Sequence, residues 1–170
     1  MTIKAVVMIA ALLSGAPALA AEKASAILIR GDGTDVGKAM FEAKPDGVEM
    51  TVSATGLKPG AHGLHLHTVG RCTAPDFASA GGHWNPSQRK HGLHAPDGAH
   101  LGDLPNLEVG ADGKGTLTTL VKGATLDAGA NGLFDADGTA IVIHAGPDDN
   151  MTDPSGNSGG REYCGVVTAQ

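Results

Sequence analysis

The tightest constraint on this fold is a periodicity. Apolar residues alternate over short runs and no helical period is sustained, so the chain must build its core from strands. Residues 26–30, 37–43 and 48–54 read as the first three strands, with Asp46-Gly47 as the hairpin turn between the second and third. Residues 62–67 form a fourth. Residues 107–109 and 116–121 follow, joined around Asp112-Gly113, and residues 140–144 and 165–168 complete a set of eight. With 26 glycines and only 3% aromatic residues, an all-β antiparallel sandwich or flattened barrel is the expected class. Two long stretches between strands, 68–106 and 145–160, have no period of their own. Loops of that length are uncommon in a compact domain unless they carry function.

Residues 1–20 have a different character. Lys4 gives a short positive start, residues 5–13 are an apolar run, and Gly15 and Pro17 precede the small-x-small triplet Ala18-Leu19-Ala20. That is the layout of a secretory signal peptide cleaved after Ala20. The run is too short to span a bilayer and lacks a stop-transfer flank, so no membrane anchor is expected after cleavage. Residues 21–170, about 150, suit one domain with one core. The formal net charge is −6, and loss of Lys4 makes it more negative. Scattered Lys and Arg on an acidic chain exclude a nucleic-acid partner, which needs clustered cations for counterion release.

Two cysteines, Cys72 and Cys164, remain. In an exported chain one disulfide is the default, closing a loop of about 90 residues. Two free thiols serving as metal ligands are the alternative, with no CxC or CxxC pair to recommend it.

The eight histidines all fall between residues 62 and 144. His65 and His67 sit two apart in a strand-like run, which puts both imidazoles on one face and Leu64 and Leu66 on the other. In the long middle stretch His83, His91, His100 and Asp103 follow H-x7-H-x8-H-x2-D. Three imidazoles and a carboxylate suit tetrahedral zinc. Solvated loop histidines would account for any one of these, and strain to account for three beside an aspartate. His144 ends an apolar strand and completes, with His65 and His67, the nitrogen-rich square that Cu(II) favours.

His62-Gly63-Leu64-His65-Leu66-His67, Gly82-His83-Trp84-Asn85-Pro86, His91-Gly92, Val142-Ile143-His144 and Gly160-Arg161…Cys164-Gly165 resemble the signatures of the copper/zinc superoxide dismutases, in that family's order. The run His100-Leu101-Gly102-Asp103-Leu104-Pro105-Asn106 and the leader resemble the bacterial periplasmic branch. The resemblance implies an eight-stranded Greek-key β-sandwich or barrel with two long functional loops. It implies copper on His65, His67, His83 and His144, and zinc on His83, His91, His100 and Asp103, with His83 bridging. Asp148 matches the carboxylate that accepts hydrogen bonds from His65 and His91. Arg161 matches the arginine that draws the anion to copper, with a Cys72–Cys164 disulfide anchoring the metal loop beside it. The implied reaction disproportionates superoxide in the periplasm, with His83 and Arg161 in the catalytic roles. The family's assemblies include homodimers, which this chain could form, and monomers.

Some residues stand outside that pattern. His94 has no place in either ligand set, and His62 matches a structural histidine. Glu162 and Tyr163 are larger and more polar than the residues expected beside Arg161, and Trp84 stands where phenylalanine is common. Asp135-Ala136-Asp137-Gly138 lacks the closing glutamate of a calcium loop and reads as a turn. Copper-storage and copper-only relatives would lack some of these ligands, and a purely structural Greek-key domain needs none.

Overall fold

The structure is a computed structural model and describes residues 21–170; the proposed signal peptide lies outside the described residues. Ten strands form one antiparallel sheet: β1 (Lys23–Arg30), β2 (Asp35–Lys44), β3 (Gly47–Thr55), β4 (Gly60–His62), β5 (Leu64–His67), β6 (Leu107–Val109), β7 (Lys114–Lys122), β8 (Ala140–His144), β9 (Arg161–Val166) and β10 (Thr168–Ala169). Eight strand-like runs become ten strands because two are broken. Gly63 separates β4 from β5, and Val167 separates β9 from β10.

The first break closes the barrel. The sheet order is β4-β6-β7-β3-β2-β1-β9-β8-β5, so β4 and β5 stand at opposite ends of the path. One residue, Gly63, carries the chain from one end to the other. Its N–H donates to Gly146 O and its carbonyl accepts from His144 N–H, each at 2.8 Å. The short connection from β3 to β4, residues 56–59, skips β7 and β6 in the sheet order, the Greek-key crossing.

Period-two alternation fills the interior. In β3, Val48, Met50, Val52 and Ala54 point inward while Glu49, Thr51 and Ser53 face out. Phe41, Leu28, Leu64, Leu66, Ile141 and Ile143 complete the centre. Strand β8 is apolar on both faces for a reason. Ala140 and Val142 pack outward against Phe77, Ala80 and Cys164, a second cluster beneath the long loop.

Backbone pairing holds that loop against the barrel. Leu66 N–H donates to Gly102 O, Trp84 N–H to Leu66 O, and Gly102 N–H to Trp84 O, at 2.7–2.9 Å. This closed triangle sets His83 opposite His67 and Asp103 opposite His65. Trp84 itself is buried in the core beside the site.

A candidate two-metal centre

The imidazoles of β5, the middle loop and the end of β8 meet in one place. Ligand nitrogens of His65, His67, His83 and His144 all lie within 4.8 Å of one another. On each ring one nitrogen is committed. His65 Nε2 donates to Asp148 Oδ2 at 2.6 Å and His67 Nδ1 to Gly81 O at 3.0 Å. His144 Nδ1 donates to Gly159 O at 3.2 Å, and His83 Nδ1 turns to Asp103 Oδ1 at 3.0 Å. On His65, His67 and His144 the carbonyl or carboxylate oxygen only accepts, so it fixes the N–H on the nitrogen it faces and leaves a bare lone pair on the other. Those other nitrogens, His65 Nδ1, His67 Nε2, His83 Nε2 and His144 Nε2, are buried with no hydrogen-bond partner. Four orphaned lone pairs converging in a buried space are costly unless a cation sits among them. The donor set fits copper.

The far side of His83 faces a second set. Asp103 Oδ1 lies 3.0 Å from His83 Nδ1, 3.0 Å from His91 Nδ1 and 3.2 Å from His100 Nδ1, and the His83 and His100 Nδ1 atoms are 3.4 Å apart. A tetrahedron with zinc-like arms of about 2.0 Å has edges of about 3.3 Å. Four of its six edges are present in the protein alone. By distance alone His65 also falls within 4.8 Å of His83, His91 and Asp103. However, its Nε2 is taken by Asp148 and its Nδ1 faces the first set, so His100 is the better fourth member.

Asp148 ties the two sets together: Oδ2 accepts from His65 and Oδ1 from His91 Nε2 at 3.0 Å. Two features that hold it were not readable in the sequence. Asn106 pairs with the Asp148 backbone through both halves of its amide, Nδ2 to the carbonyl and the Asp148 N–H to Oδ1, each at 2.9 Å. Gly156 (φ 62) leaves the room, since a Cβ there would lie 1.7 Å from Asp148 Oδ1 and 2.8 Å from His91 Nε2.

Arg161 reaches the same centre through a bulge. Ile143 pairs with Tyr163 but His144 pairs with Arg161, so Glu162 is the extra residue and the strand bends there. Tyr163 points inward and donates its hydroxyl to Thr55 O at 3.0 Å. The two residues that depart from the family pattern thus accompany the shift that sets Arg161 opposite His144 in the sheet. Its guanidinium donates to Phe77 O at 2.6 Å and to Gly81 O at 2.5 Å. A cavity of about 330 Å³ opens onto His67, His83, His144 and Arg161. Cys72 and Cys164 form a disulfide. His62 stays out of the centre, with both ring nitrogens on backbone carbonyls, and His94 is exposed.

Burial keeps the His65, His67 and His144 rings neutral. It pushes His65 down to about 4, His67 to about 2 and His144 to about 3. Burial raises the Asp148 carboxyl, but hydrogen bonds from His65, the Asn150 N–H and His91 outweigh it and bring it down to about 2. Asp103 is likewise raised by burial and taken well below its ordinary value by hydrogen bonds from His83 and the Gly92 N–H, with the neighbouring imidazoles. In the unfolded chain a histidine titrates near 6.5. Below that pH the unfolded state takes protons that these folded rings refuse. Their contribution is therefore full above about 6.5 and drains away as pH falls toward the folded values. The unfolding midpoint of the metal-free protein should drop between pH 6.5 and 4. A thermal melt series showing no change across that window would contradict the neutral-ring assignment.

Comparison with known proteins agrees with this geometry. The sequence model of the family described as copper/zinc superoxide dismutase matches residues 36–167. The superoxide dismutase-like protein YojM of Bacillus subtilis (strain 168) is 47% identical over 133 residues, 74% of this chain and 65% of that protein, so the chain spans just under two thirds of that relative. Superoxide dismutase [Cu-Zn] 1 of Aquifex aeolicus (strain VF5) is 44% identical over 147 residues, covering 85% of this chain and 87% of that one. The crystal structure of a SOD-like protein from Bacillus subtilis superposes with a TM-score of 0.80 at 41% identity, over 84% of this chain and 96% of that one.

Proposed function

The chain belongs to the copper/zinc superoxide dismutase family, and from that premise we propose that it disproportionates superoxide to dioxygen and hydrogen peroxide. One observation carries the reading: four orphaned, buried imidazole nitrogens converge beneath a cavity that the half-buried Arg161 also lines. His65, His67, His83 and His144 would hold copper. His83, His91, His100 and Asp103 would hold zinc. Copper there supplies the one-electron couple the reaction needs, since one superoxide must lose an electron to become dioxygen and another must gain one, with two protons, to become peroxide. Zinc has no redox state to offer and supplies structure and charge.

The chain's own residues do the rest. Superoxide is an anion and the protein's net charge is −6, so attraction must be local. Arg161 provides it, held in place by two carbonyls at the edge of the cavity. His83 is the ring through which a proton can be handed to product. Its Nδ1 stays on the zinc side while Nε2 faces the copper side with no protein partner, so Nε2 is the atom that can take up a proton and give it back. Asp148 fixes the N–H of both His65 and His91 and so couples the two sets.

The leader and the disulfide support export, most simply to a periplasm, with cleavage after Ala20 and no anchor remaining. Among the described residues no helix is long and apolar enough to cross a membrane. Every candidate ligand comes from one chain, so the reading holds for a monomer or a homodimer alike.

The test is superoxide consumption by protein loaded with copper and zinc, beside protein loaded with zinc alone. Rapid consumption by the first and none by the second is expected. Inactivity of the fully loaded protein would remove the dismutase reading and leave a metal-binding relative.

A further inference from the structure

An acidic side chain lines the wider of two cavities that meet at Arg161. The cavity over the histidines shares Gly82, Gly159 and Arg161 with a wider one of about 610 Å³ that opens outward past Gly81 and Gly160 to Asp76. Among the residues lining the two cavities, Arg161 and Asp76 are the only Asp, Glu, Lys or Arg side chains. Apart from what metals add, this pair sets the field that an entering anion meets at close range.

A carboxylate there repels the substrate, and the local backbone shows what else it does. Asp76 Oδ1 accepts the Ala78 N–H at 3.0 Å, an Asx turn that opens the 3₁₀ turn Ala78–Ala80. Phe77, between them, is fully buried at φ 54, and its carbonyl accepts one guanidinium N–H of Arg161. Gly81, at the far end of the turn, accepts the other, together with the His67 Nδ1–H. The turn that Asp76 starts therefore presents both acceptors that aim Arg161. Burial pulls the Arg161 pKa down, and the Asp76 charge acts against that pull.

We propose that Asp76 is a positioning residue that works against itself: its side-chain oxygen builds the turn that aims Arg161, while its charge slows entry of the anion. This rests on the dismutase reading of the same site. Asp76→Asn keeps an acceptor oxygen and removes the charge, whereas Asp76→Ala removes both. At low ionic strength kcat/KM of Asp76→Asn should rise about two- to threefold, and the gain should vanish near about 0.5 M salt, where screening acts within a few ångströms. Asp76→Ala should fall below wild type at high salt and should lose amide-exchange protection at Ala78, which Asp76→Asn keeps. Azide, titrated into the copper-loaded protein by absorbance, should bind Asp76→Asn more tightly at low salt by a similar factor. Rates and azide affinities equal to wild type at every ionic strength would overturn the proposal. So would an Asp76→Asn protein as impaired as Asp76→Ala. If the wild type does not consume superoxide yet azide still binds Asp76→Asn more tightly, the dismutase reading falls and the place of Asp76 in the anion path stands.

Discussion

Replacing His144 by alanine should lower superoxide consumption by the metal-loaded protein more than about a hundredfold. Loss of an outer partner of a metal ligand typically costs 10–100-fold in metal affinity or activity, and His144 supplies one of the four convergent nitrogens itself. The substitution opens one corner of the donor set and strips the Gly159 carbonyl of its donor. It also enlarges the cavity beside Arg161, so water can fill the vacated corner. Zinc retention should survive, because His83 Nδ1, His91, His100 and Asp103 are untouched. Metal analysis beside the rate measurement separates loss of copper from loss of the fold. His94→Ala, on an exposed loop residue outside both sets, should match wild type. Activity of His144→Ala within threefold of wild type would show that the four nitrogens are not the reaction centre.

Breaking the disulfide should be the most damaging change to stability. Cys72 and Cys164 are 92 residues apart in sequence, and closing a loop of that length restricts the unfolded chain by about 4–5 kcal/mol in the chain-entropy account. For a domain of this size that corresponds to a fall of roughly 10–20 °C in the thermal midpoint. A Cys72→Ser/Cys164→Ser variant is the comparison to make. The effect should reach function as well. Cys72 lies just before the turn whose Phe77 and Gly81 carbonyls hold Arg161, and Cys164 sits on the same strand as Arg161. Releasing the tether frees the loop that aims the guanidinium. A midpoint within about 2 °C of wild type would mean that the loop is held by its packing on Val142 and Ala140 instead.

The candidate donors were legible because metal chemistry restricts residue type and spacing. Two histidines at a period of two must share a face, and three histidines with an aspartate along one loop have few structural explanations. The strands were legible for a similar local reason: alternation such as Val48, Met50, Val52 marks one buried face whatever that face packs against.

Other features had no local signature. Glu162 and Tyr163 looked like obstacles beside Arg161, and only pairing with β8 shows that Glu162 is a bulge and Tyr163 an inward core residue. Asn106 holds the Asp148 backbone from 42 residues away. Asp76 carries no sequence mark until the loop folds it next to the channel of Arg161.

By itself, then, the sequence determined the strand runs, the turn positions, the candidate metal donors and the presence of two long loops. Each of these depends on residue type and short-range period. The tertiary structure alone decided that Gly63 closes the barrel, which nitrogen of each imidazole faces the metals, and how Arg161 is aimed. The reason is physical. A ring nitrogen is assigned by the acceptor opposite its partner nitrogen, and for His67 and His144 that acceptor is the carbonyl of Gly81 and of Gly159, 14 and 15 residues away. Contacts at such separations are made by folding, and no local pattern in the chain records them.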